Sequence, residues 1–514
     1  MSKNTVRLHI VLRIFLVIAI LVLLVLSIYH SYTSNTINDD TGWAIANGWH
    51  LLSQGFHYSL SNSWVVKHPY LSTGPEWMSD ALFYWLYLHF GWGGLVGIMQ
   101  LSIISVWGLA IVRSVKSRSI FTLLLSAILV DTGMAVFLVD RPQVFSYFFL
   151  VLYMWWRTYR YASTSLTQRL GWRQLIQGDA LWVILMPIWA SLHGGFALFY
   201  PLFLLDSLAH RKWNSLWLVP VTAIEIVFLM PNHLYNLLYP FLWQSVPYDK
   251  YISEVLPIPF SGGYMLVILA ILVATLAEWK YVSRMDKIML VLLDFFALHS
   301  FRNLPYATLF LLWHMDKVDV RIFFPRFFTL TKQFYEWDTS TFRPKWTIAL
   351  FSFAAVVTLG FPIANNHVHA FQDKRVVDNA AILYLVNHAS VLHFLGFEPM
   401  QYSDELTLLG HPNYLESQQD VWAGIISPKT EPNLTMATMK LESGQIPLTN
   451  AWGYKQMRYI LVRNGSIMDN ELKLIPKTWV PMWKDKYATV YVRKGYVKSL
   501  NSEHSMGRLN QIPY

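Results

Sequence analysis

The stretch LHIVLRIFLVIAILVLLVLSIY, residues 8–29, is an almost uninterrupted apolar run near the start of the chain. As a helix it is long enough to cross the hydrocarbon core of a bilayer, which is about 30 Å thick. The run is too long for the apolar region of a signal peptide, and no small-residue cleavage site follows it. The sequence therefore predicts a first transmembrane helix.

The composition of the 514-residue chain also indicates a membrane protein. Hydrophobic residues make up 54% of the chain, charged residues make up 14%, and the mean hydropathy is +0.34. A soluble domain of this size carries about a quarter charged residues. Cysteine is absent, which excludes a disulfide framework and a thiolate metal site.

Further apolar stretches predict a polytopic α-helical membrane protein with about eleven spans. The predicted spans lie near residues 8–29, 93–112, 119–139, 143–160, 180–193, 194–209, 215–231, 264–282, 287–300, 304–316 and 346–364. The pair 180–193 and 194–209 can also be read as one long helix.

Basic residues alternate between the connections of these spans, which sets a topology. One set of connections holds Lys3, Arg7, Arg13, Arg113, Lys116, Arg118, Arg157, Arg160, Arg169, Arg173, Arg211, Lys212, Lys280, Arg284, Lys287, Lys317, Arg321, Arg326, Lys332, Arg343 and Lys345. The other set holds only Lys67, Arg141, Lys250 and Arg302. Because basic loops stay in the cytoplasm, we expect a cytoplasmic amino terminus and an extracytoplasmic carboxyl terminus in the cell membrane. The net charge of +9 is then a topology signal, and no nucleic-acid partner is implied.

Two domains are predicted: a transmembrane domain over 1–364 with a first outer loop at 30–92, and an extracytoplasmic domain over 365–514. In the loop, Asp40 can cap a helix over 41–53 that ends at Gly55 and lies on the membrane surface. A second loop helix begins near residues 73–76 and runs through the aromatic stretch from Trp77 to Phe90. The tail reads as a small α/β domain, with a helix over 376–388 and strands at 459–462 and 488–492.

Unusual polar residues map to the outer ends of the predicted spans or to the outer loops. These candidate site residues are Asp39, Asp40, Glu76, Arg141, Gln143, His193, Glu254, Arg302 and Asn303. Asp131, Glu225 and Asp294 fall inside predicted spans, nearer the outer ends. Ionisable groups at membrane depth line wet cavities or pair with one another, so the set predicts a polar chamber that opens outward.

The order of these motifs resembles the GT-C superfamily of membrane glycosyltransferases, and more closely a bacterial branch of dolichyl-phosphate-mannose-transferase-like membrane proteins. The matching pieces are Asp39 to Trp43, Pro75 to Trp77, Arg141 to Tyr147, Trp189 to Phe196, Pro231 to His233 with Tyr239-Pro240, Ile252 to Glu254, and Arg302 to Pro305. The resemblance spans most of residues 1–320. It implies a GT-C-like fold and a polyprenyl-phosphate-linked sugar donor.

The chemistry of sugar transfer suits these residue types. An acceptor hydroxyl must lose a proton, so Asp39 or Asp40 can act as general base, or can bind a divalent cation such as Mg²⁺ or Mn²⁺. A phosphate leaves with negative charge, which Arg141, His193 and Arg302 can stabilise.

Each candidate also has a structural interpretation. One aspartate can cap the helix at 41, and Glu76 stands three residues after Thr73, as in a capping box. Arg141 can anchor lipid headgroups, and His193 can be a hydrogen-bonded core residue. Glu254 and Arg302 can form an ion pair.

The predicted function is sugar transfer from a polyprenyl-phosphate carrier to a glycan, lipid or protein acceptor outside the membrane of a bacterial cell envelope. One alternative is a transporter or flippase of lipid-linked glycans, and another is a non-catalytic assembly protein. A transporter needs polar groups on both sides of the midplane, whereas those recognised in the sequence lie outward.

Overall fold

The structure is a computed structural model that describes residues 3–34, 39–55, 64, 76–134, 137–138, 141–162, 172–231, 233–244, 256–258, 264–317, 329–341, 348, 352, 380–399, 402–403, 406, 411–414 and 434–505. The chain forms two compact units. Unit 1 contains Met1–Asn35, Gly93–Pro240 and Ile252–Asn366, and unit 2 contains Thr36–Trp92, Phe241–Tyr251 and His367–Tyr514. The predicted domain boundary at 364 lies outside the described residues and stays a prediction.

The described part of the chain is mostly helical up to residue 341. Its helices are α1 (Lys3–Ser34), α2 (Asp39–Gln54), α3 (Trp77–Phe90), α4 (Trp92–Ser117), α5 (Ile120–Gly133), α6 (Gln143–Ala162), α7 (Trp172–Leu192), α8 (Phe199–Ala209), α9 (Leu218–Leu229), α10 (Leu234–Gln244), α11 (Tyr264–Trp279), α12 (Arg284–His299), α13 (Leu304–His314) and α14 (Thr329–Thr341). Helices α2 and α3 belong to unit 2.

The prediction of a GT-C-like membrane domain with about eleven spans is wrong. Among the described residues, only Thr5–Leu26 in α1 and Gly93–Ser117 in α4 are helices long and apolar enough to cross a membrane. A third span results if Ser215–Leu229 and Leu234–Phe241, which meet at a bend of 115°, are counted as one. The predicted span over 346–364 lies almost wholly outside the described residues.

The error has a physical reason, because apolarity alone does not separate a spanning helix from a buried core helix. Several apolar helices, such as Ile120–Gly133 and Leu181–Leu192, are only 10–17 residues long. At 1.5 Å per residue they fall short of a bilayer core about 30 Å thick. In α13, every residue from Leu304 to Leu312 is buried within the protein. By contrast, α1 exposes Val11, Phe15 and Val25 at 62–65% of their surface, as a helix facing lipid would.

Buried ion pairs join the helices of unit 1 at one end. Nε of Arg157 on α6 donates to Oδ1 of Asp206 on α8 at 2.7 Å, and its Nη1 pairs with Asp286 at the start of α12. The Tyr153 hydroxyl donates to Oδ2 of Asp206 at 2.6 Å, and Nε2 of His314 lies 3.6 Å from Oδ2 of Asp286. The Arg157 ion pairs connect α6 to α8 and α12, and the contact of His314 with Asp286 adds α13.

Helices α2 and α3 form a close pair in unit 2. A Cβ on Gly48 would lie 2.1 Å from the backbone oxygen of Asp80, so only glycine permits this approach. Residues 41–48 are buried all round, which corrects the prediction of an amphipathic helix lying on a membrane. The predicted stop is confirmed, since Gly55 follows α2 with a left-handed φ of 79°.

The tail domain in unit 2 contains a four-stranded sheet of order β1-β2-β4-β3. The strands are β1 (Gly396–Phe397), β2 (Tyr459–Arg463), β3 (Trp479–Lys484) and β4 (Ala488–Arg493), and the helices are a turn at Ala389–Leu392, α15 (Leu434–Glu442), α16 (Ile467–Lys473) and α17 (Lys494–Ser505). Strand β2 pairs parallel with β1 and antiparallel with β4. The two predicted strands are confirmed, and residues 380–387 of the predicted helix are helical. Alternate residues of β2 enter two core clusters, the period-two pattern expected of a sheet covered on both faces.

A buried carboxylate organises one edge of this sheet. Glu398 is fully buried and accepts hydrogen bonds from the Tyr414 backbone N–H and from the Tyr459 hydroxyl, the latter at 2.9 Å. Beside it, the backbone N–H of Trp64 donates to the Asn413 carbonyl at 3.0 Å, and its Nε1 donates to the Gly396 carbonyl at 2.9 Å. The Trp64 side chain of the first loop therefore packs on the core of the tail domain.

The stability of the tail domain should fall as the pH rises, because burial raises the pKa of Glu398 from its ordinary 4.5 to about 8. The folded state then holds a proton that the unfolded state has already released, so the stabilisation is complete below about pH 4.5 and is lost towards pH 8. Hydrogen exchange of β2 amides in the full chain, corrected for intrinsic rates, measures this dependence. Glu398→Gln should flatten the pH profile, and Glu471→Gln on α16 should not. A rise in protection between pH 5 and pH 8 would contradict the expected sign.

Candidate functional site

Three helix starts meet at the end of unit 1 opposite the Arg157 ion pairs. They are the starts of α6, of α13 and of a 3-10 turn at Gly194–Leu198 that leads into α8. The rings of Tyr147 and Tyr306, each in an early turn of its helix, have centroids 5.6 Å apart. A Cβ built on Gly195 would lie 2.4 Å from Ser146 Oγ and 2.7 Å from the Tyr306 hydroxyl. Helix starts carry partial positive charge, so their meeting point favours an anion.

Two arginines stand just before two of these helix starts. Arg141 precedes the first residue of α6 by two positions, and Arg302 precedes the first residue of α13 by two positions. Both side chains are partly buried. Guanidinium groups beside helix starts reinforce the positive potential there, and their planar fork suits two oxygens of one phosphate.

His193 is held between these elements by hydrogen bonds to its Nδ1 atom. The Ser146 hydroxyl lies 2.7 Å from Nδ1, and the Gly195 backbone N–H donates to the same nitrogen at 2.9 Å. Nε1 of Trp189, one turn earlier on α7, donates to Ser146 Oγ at 2.7 Å. A ring nitrogen that accepts a hydrogen bond carries no proton, and Nδ1 accepts from the Gly195 N–H. The bonding therefore assigns the imidazole proton to Nε2.

The electrostatics keep this histidine neutral. Burial, and then the positive charge of Arg302, lower the pKa of His193 from 6.5 to about 3. The side chain is therefore an uncharged hydrogen-bond donor through Nε2 at neutral pH. This differs from the cationic role that the sequence suggested, and it leaves the positive charge of the site to Arg141 and Arg302.

Gln143 and Asn303 occupy the same helix starts with different roles. Gln143 is only 5% exposed, and its Nε2 has no hydrogen-bond partner among the described residues. A buried amide donor without an acceptor is costly, and an anion at the helix starts would provide one. Asn303 instead uses its Nδ2 atom to donate to the Phe296 carbonyl at 3.3 Å, which ties the start of α13 to the end of α12.

Gly195→Ala should destabilise unit 1 by about 1–3 kcal/mol, the usual cost of overpacking. The new methyl group would meet Ser146 Oγ, the Tyr306 hydroxyl and His193 Nδ1 at 2.4–2.8 Å. Thermal unfolding of the detergent-solubilised protein measures the effect. Gly97→Ala is the matched control, because a Cβ there meets nothing within 4 Å. Equal melting temperatures for the two variants would show that the three helix starts are not in close contact.

Asp39, Asp40 and Glu76 belong to unit 2. Asp39 and Asp40 are the first two residues of α2, so the helix begins before the predicted cap position. Glu76 is the residue before α3 and makes no side-chain cap hydrogen bond to it. The predicted capping box with Thr73 lies partly outside the described residues and stays a prediction. The sequence missed Asp80, a fully buried acid bonded to Asn47 Nδ2. Burial, and then Glu76, raise the pKa of Asp80 well above its usual range, while Asn47 lowers it.

The remaining polar residues include one that the structure does not describe and several that the sequence analysis missed. Glu254 lies outside the described residues, so its predicted pairing with Arg302 stays a prediction. The polar groups do not all lie towards one end of unit 1, since Asp206, Asp286 and His314 are buried at the other. Ser146 and Trp189 were also missed as site residues, although their spacing was a usable signal. Ser146 follows Gln143 by three positions on α6, so the two lie on one helix face, and Trp189 precedes His193 by four positions, the spacing of one helical turn.

Metal binding stays open at the acid pair. No group of three or more His, Asp or Glu residues suited to a metal ion occurs in the described part of the chain. The predicted Mg²⁺ or Mn²⁺ site at Asp39 and Asp40 therefore stays a prediction.

Comparison with known proteins adds no assignment. Neither the protein-family models nor the curated proteins match the chain. The site must therefore be interpreted from its own chemistry.

Proposed function

We propose that this protein binds the phosphate of a polyprenyl-phosphate-linked sugar in unit 1 and transfers the sugar to an acceptor hydroxyl. One observation carries the proposal: Arg141, Arg302 and Gln143, whose Nε2 has no hydrogen-bond partner among the described residues, lie at helix starts that meet beside a neutral histidine. These groups supply the hydrogen-bond donors and the positive charge that a phosphate site requires.

The membrane setting supports a lipid-linked donor over a soluble one. Helices α1 and α4 can each cross a membrane, which brings unit 1 to a bilayer. The basic residues that the charge bias assigns to the cytoplasm include Arg113, Lys116 and Arg157, and all three pair at the end of unit 1 opposite the anion site. This arrangement agrees with a site that faces outward.

The chemical roles follow from the protonation states. Arg141 and Arg302 would neutralise the charge that develops on the leaving phosphate, and His193 Nε2–H would donate a hydrogen bond without adding charge. The general base for the acceptor hydroxyl stays the sequence-based prediction of Asp39 or Asp40. The likeness to GT-C enzymes in motif order supports the same substrate class. Acceptors of this class are glycans, lipids or proteins.

Arg302→Lys should lower donor use because lysine keeps the charge but loses the two-point fork. The assay uses membranes that contain the native acceptor and a donor with a radiolabelled sugar. It measures the release of polyprenyl phosphate from that donor. Arg284→Lys, at an exposed position that begins α12, is the matched control. Movement of intact donor across the membrane without release of polyprenyl phosphate would favour a transporter. Sugar transfer at the wild-type rate by Arg302→Lys would contradict the assignment of phosphate binding to Arg302.

A further inference from the structure

A second polar site lies at the end of α11, away from the three helix starts. Glu278 is fully buried, and neither of its carboxylate oxygens has a hydrogen-bond partner among the described residues. One turn earlier, Thr275 Oγ1 donates to Oδ2 of Asp294 on α12 at 2.7 Å. Oδ1 of Asp294 likewise has no partner there, and Asp294 is only 7% exposed. Three oxygens of two buried acids are therefore unsatisfied within about one helical turn.

An ionised carboxylate in this position would be very costly. Moving an unpaired charge out of water costs so much that a buried acid takes up a proton instead. The surrounding charges act in both directions. Burial raises the pKa of Glu278 well above its usual range, Lys317 lowers it, and Asp294, Asp286 and Asp316 raise it.

The unsatisfied acids differ from the ion pairs nearby. Asp286 and Asp206 are also buried, but each accepts hydrogen bonds from Arg157. Arg113 and Lys116 pair with Asp316. Within the part of the chain that the structure describes, Glu278 alone among these acids has no donor to either oxygen, so a structural ion-pair role does not explain it.

We propose that Glu278, with Asp294 and Thr275, forms a proton-binding site in unit 1 that is separate from the phosphate site. The bound proton sits on a Glu278 oxygen, and the pair Thr275–Asp294 provides the adjacent acceptor to which it can move. A proton fits better than a metal ion because the described residues provide only two carboxylates and one hydroxyl, fewer ligands than a hard cation takes. The site does not depend on the sugar-transfer proposal.

Dicyclohexylcarbodiimide tests this site in the full-length protein. The reagent takes the proton of a neutral carboxyl group onto nitrogen, the carboxylate adds to its central carbon, and an acyl shift leaves a stable N-acylurea. Mass spectrometry should find the adduct on Glu278, with labelling lost in Glu278→Gln and unchanged in Glu336→Gln, an exposed acid of α14. Asp294→Asn removes a neighbouring negative charge and so lowers the pKa of Glu278. As the pH is raised, labelling of Glu278 should therefore stop at a lower pH than in the wild type.

Infrared spectroscopy covers the case in which the reagent cannot reach the site. The carbonyl band of a protonated carboxyl group should be present in the wild type at neutral pH and weaker in Glu278→Gln by one carboxyl group. Equal bands in the two proteins would overturn the proposal. Protection of Glu278 by sodium ions at constant pH would also overturn it, because the site would then bind a metal cation in place of the proton.

Discussion

Replacing Asp40 by asparagine should leave the protein folded and lower sugar transfer by about a hundred- to ten-thousand-fold, the usual contribution of a general base. Asp40 is the second residue of α2. A negative charge there stabilises the helix by only about 0.3–1 kcal/mol, so its removal should lower the stability of the folded protein only slightly. The measurement is the glycan profile of cells that carry each variant at matched membrane abundance.

Asp39→Asn is the comparison variant for this experiment. It removes the same charge from the same helix turn, so any shared folding effect appears in both variants. Only one of the two acids needs to face the acceptor, and the two profiles identify which one does. Wild-type glycans in both variants would leave the aspartate pair without a catalytic role and would favour the assembly-protein alternative.

Arg157→Met should destabilise unit 1 by about 3–5 kcal/mol, because it leaves Asp206 and Asp286 as buried, uncompensated charges. The guanidinium bonds both carboxylates, while methionine fills similar space without a donor. Chemical unfolding of the solubilised protein provides the free energy of unfolding.

A double variant tests whether the loss comes from charge. Arg157→Met combined with Asp206→Asn removes one uncompensated carboxylate, so it should recover part of the stability lost in Arg157→Met. Arg284→Met, at an exposed position, should change stability by less than about 0.5 kcal/mol. A cost below that value for Arg157→Met would mean that the ion pairs do not hold these helices together.

Local signals in the sequence were sufficient for several elements. Gly55 marked the end of α2, because a left-handed residue after a helix favours glycine. The alternating patterns at 459–462 and 488–492 predicted β2 and β4. Short strands without such a pattern were missed, since β1 has only two residues and β3 contains Pro481 and a register shift.

Features that depend on partners distant in sequence could not be predicted. Asp206 and Asp286 lie 49 and 129 residues from Arg157, and no local pattern joins them. The close approach of α2 to α3 depends on Gly48, which resembles any other glycine in a helical pattern. The number of spans was overestimated for the same reason, because a helix buried by other helices is as apolar as one buried in lipid.

The candidate site was partly predictable. Arg141, Gln143, His193 and Arg302 stood out as polar residues beside apolar runs, and the structure places all four at neighbouring helix starts. The chain of Trp189, Ser146 and His193 was not predictable, because it requires knowing that α6 and α7 lie side by side. The hydrogen bonds to Nδ1 in turn place the imidazole proton on Nε2.

Equilibrium binding of polyprenyl phosphate to the purified protein tests the central claim most directly, with polyprenol as the matched ligand that lacks the phosphate. The wild type should bind the phosphate and not the alcohol, and Arg302→Ala should weaken binding about ten- to a hundred-fold, as expected for loss of a charge-assisted pair. Arg284→Ala should bind as the wild type does. Equal affinity for the phosphate and the alcohol, or wild-type affinity in the Arg302→Ala variant, would contradict a phosphate site at the three helix starts.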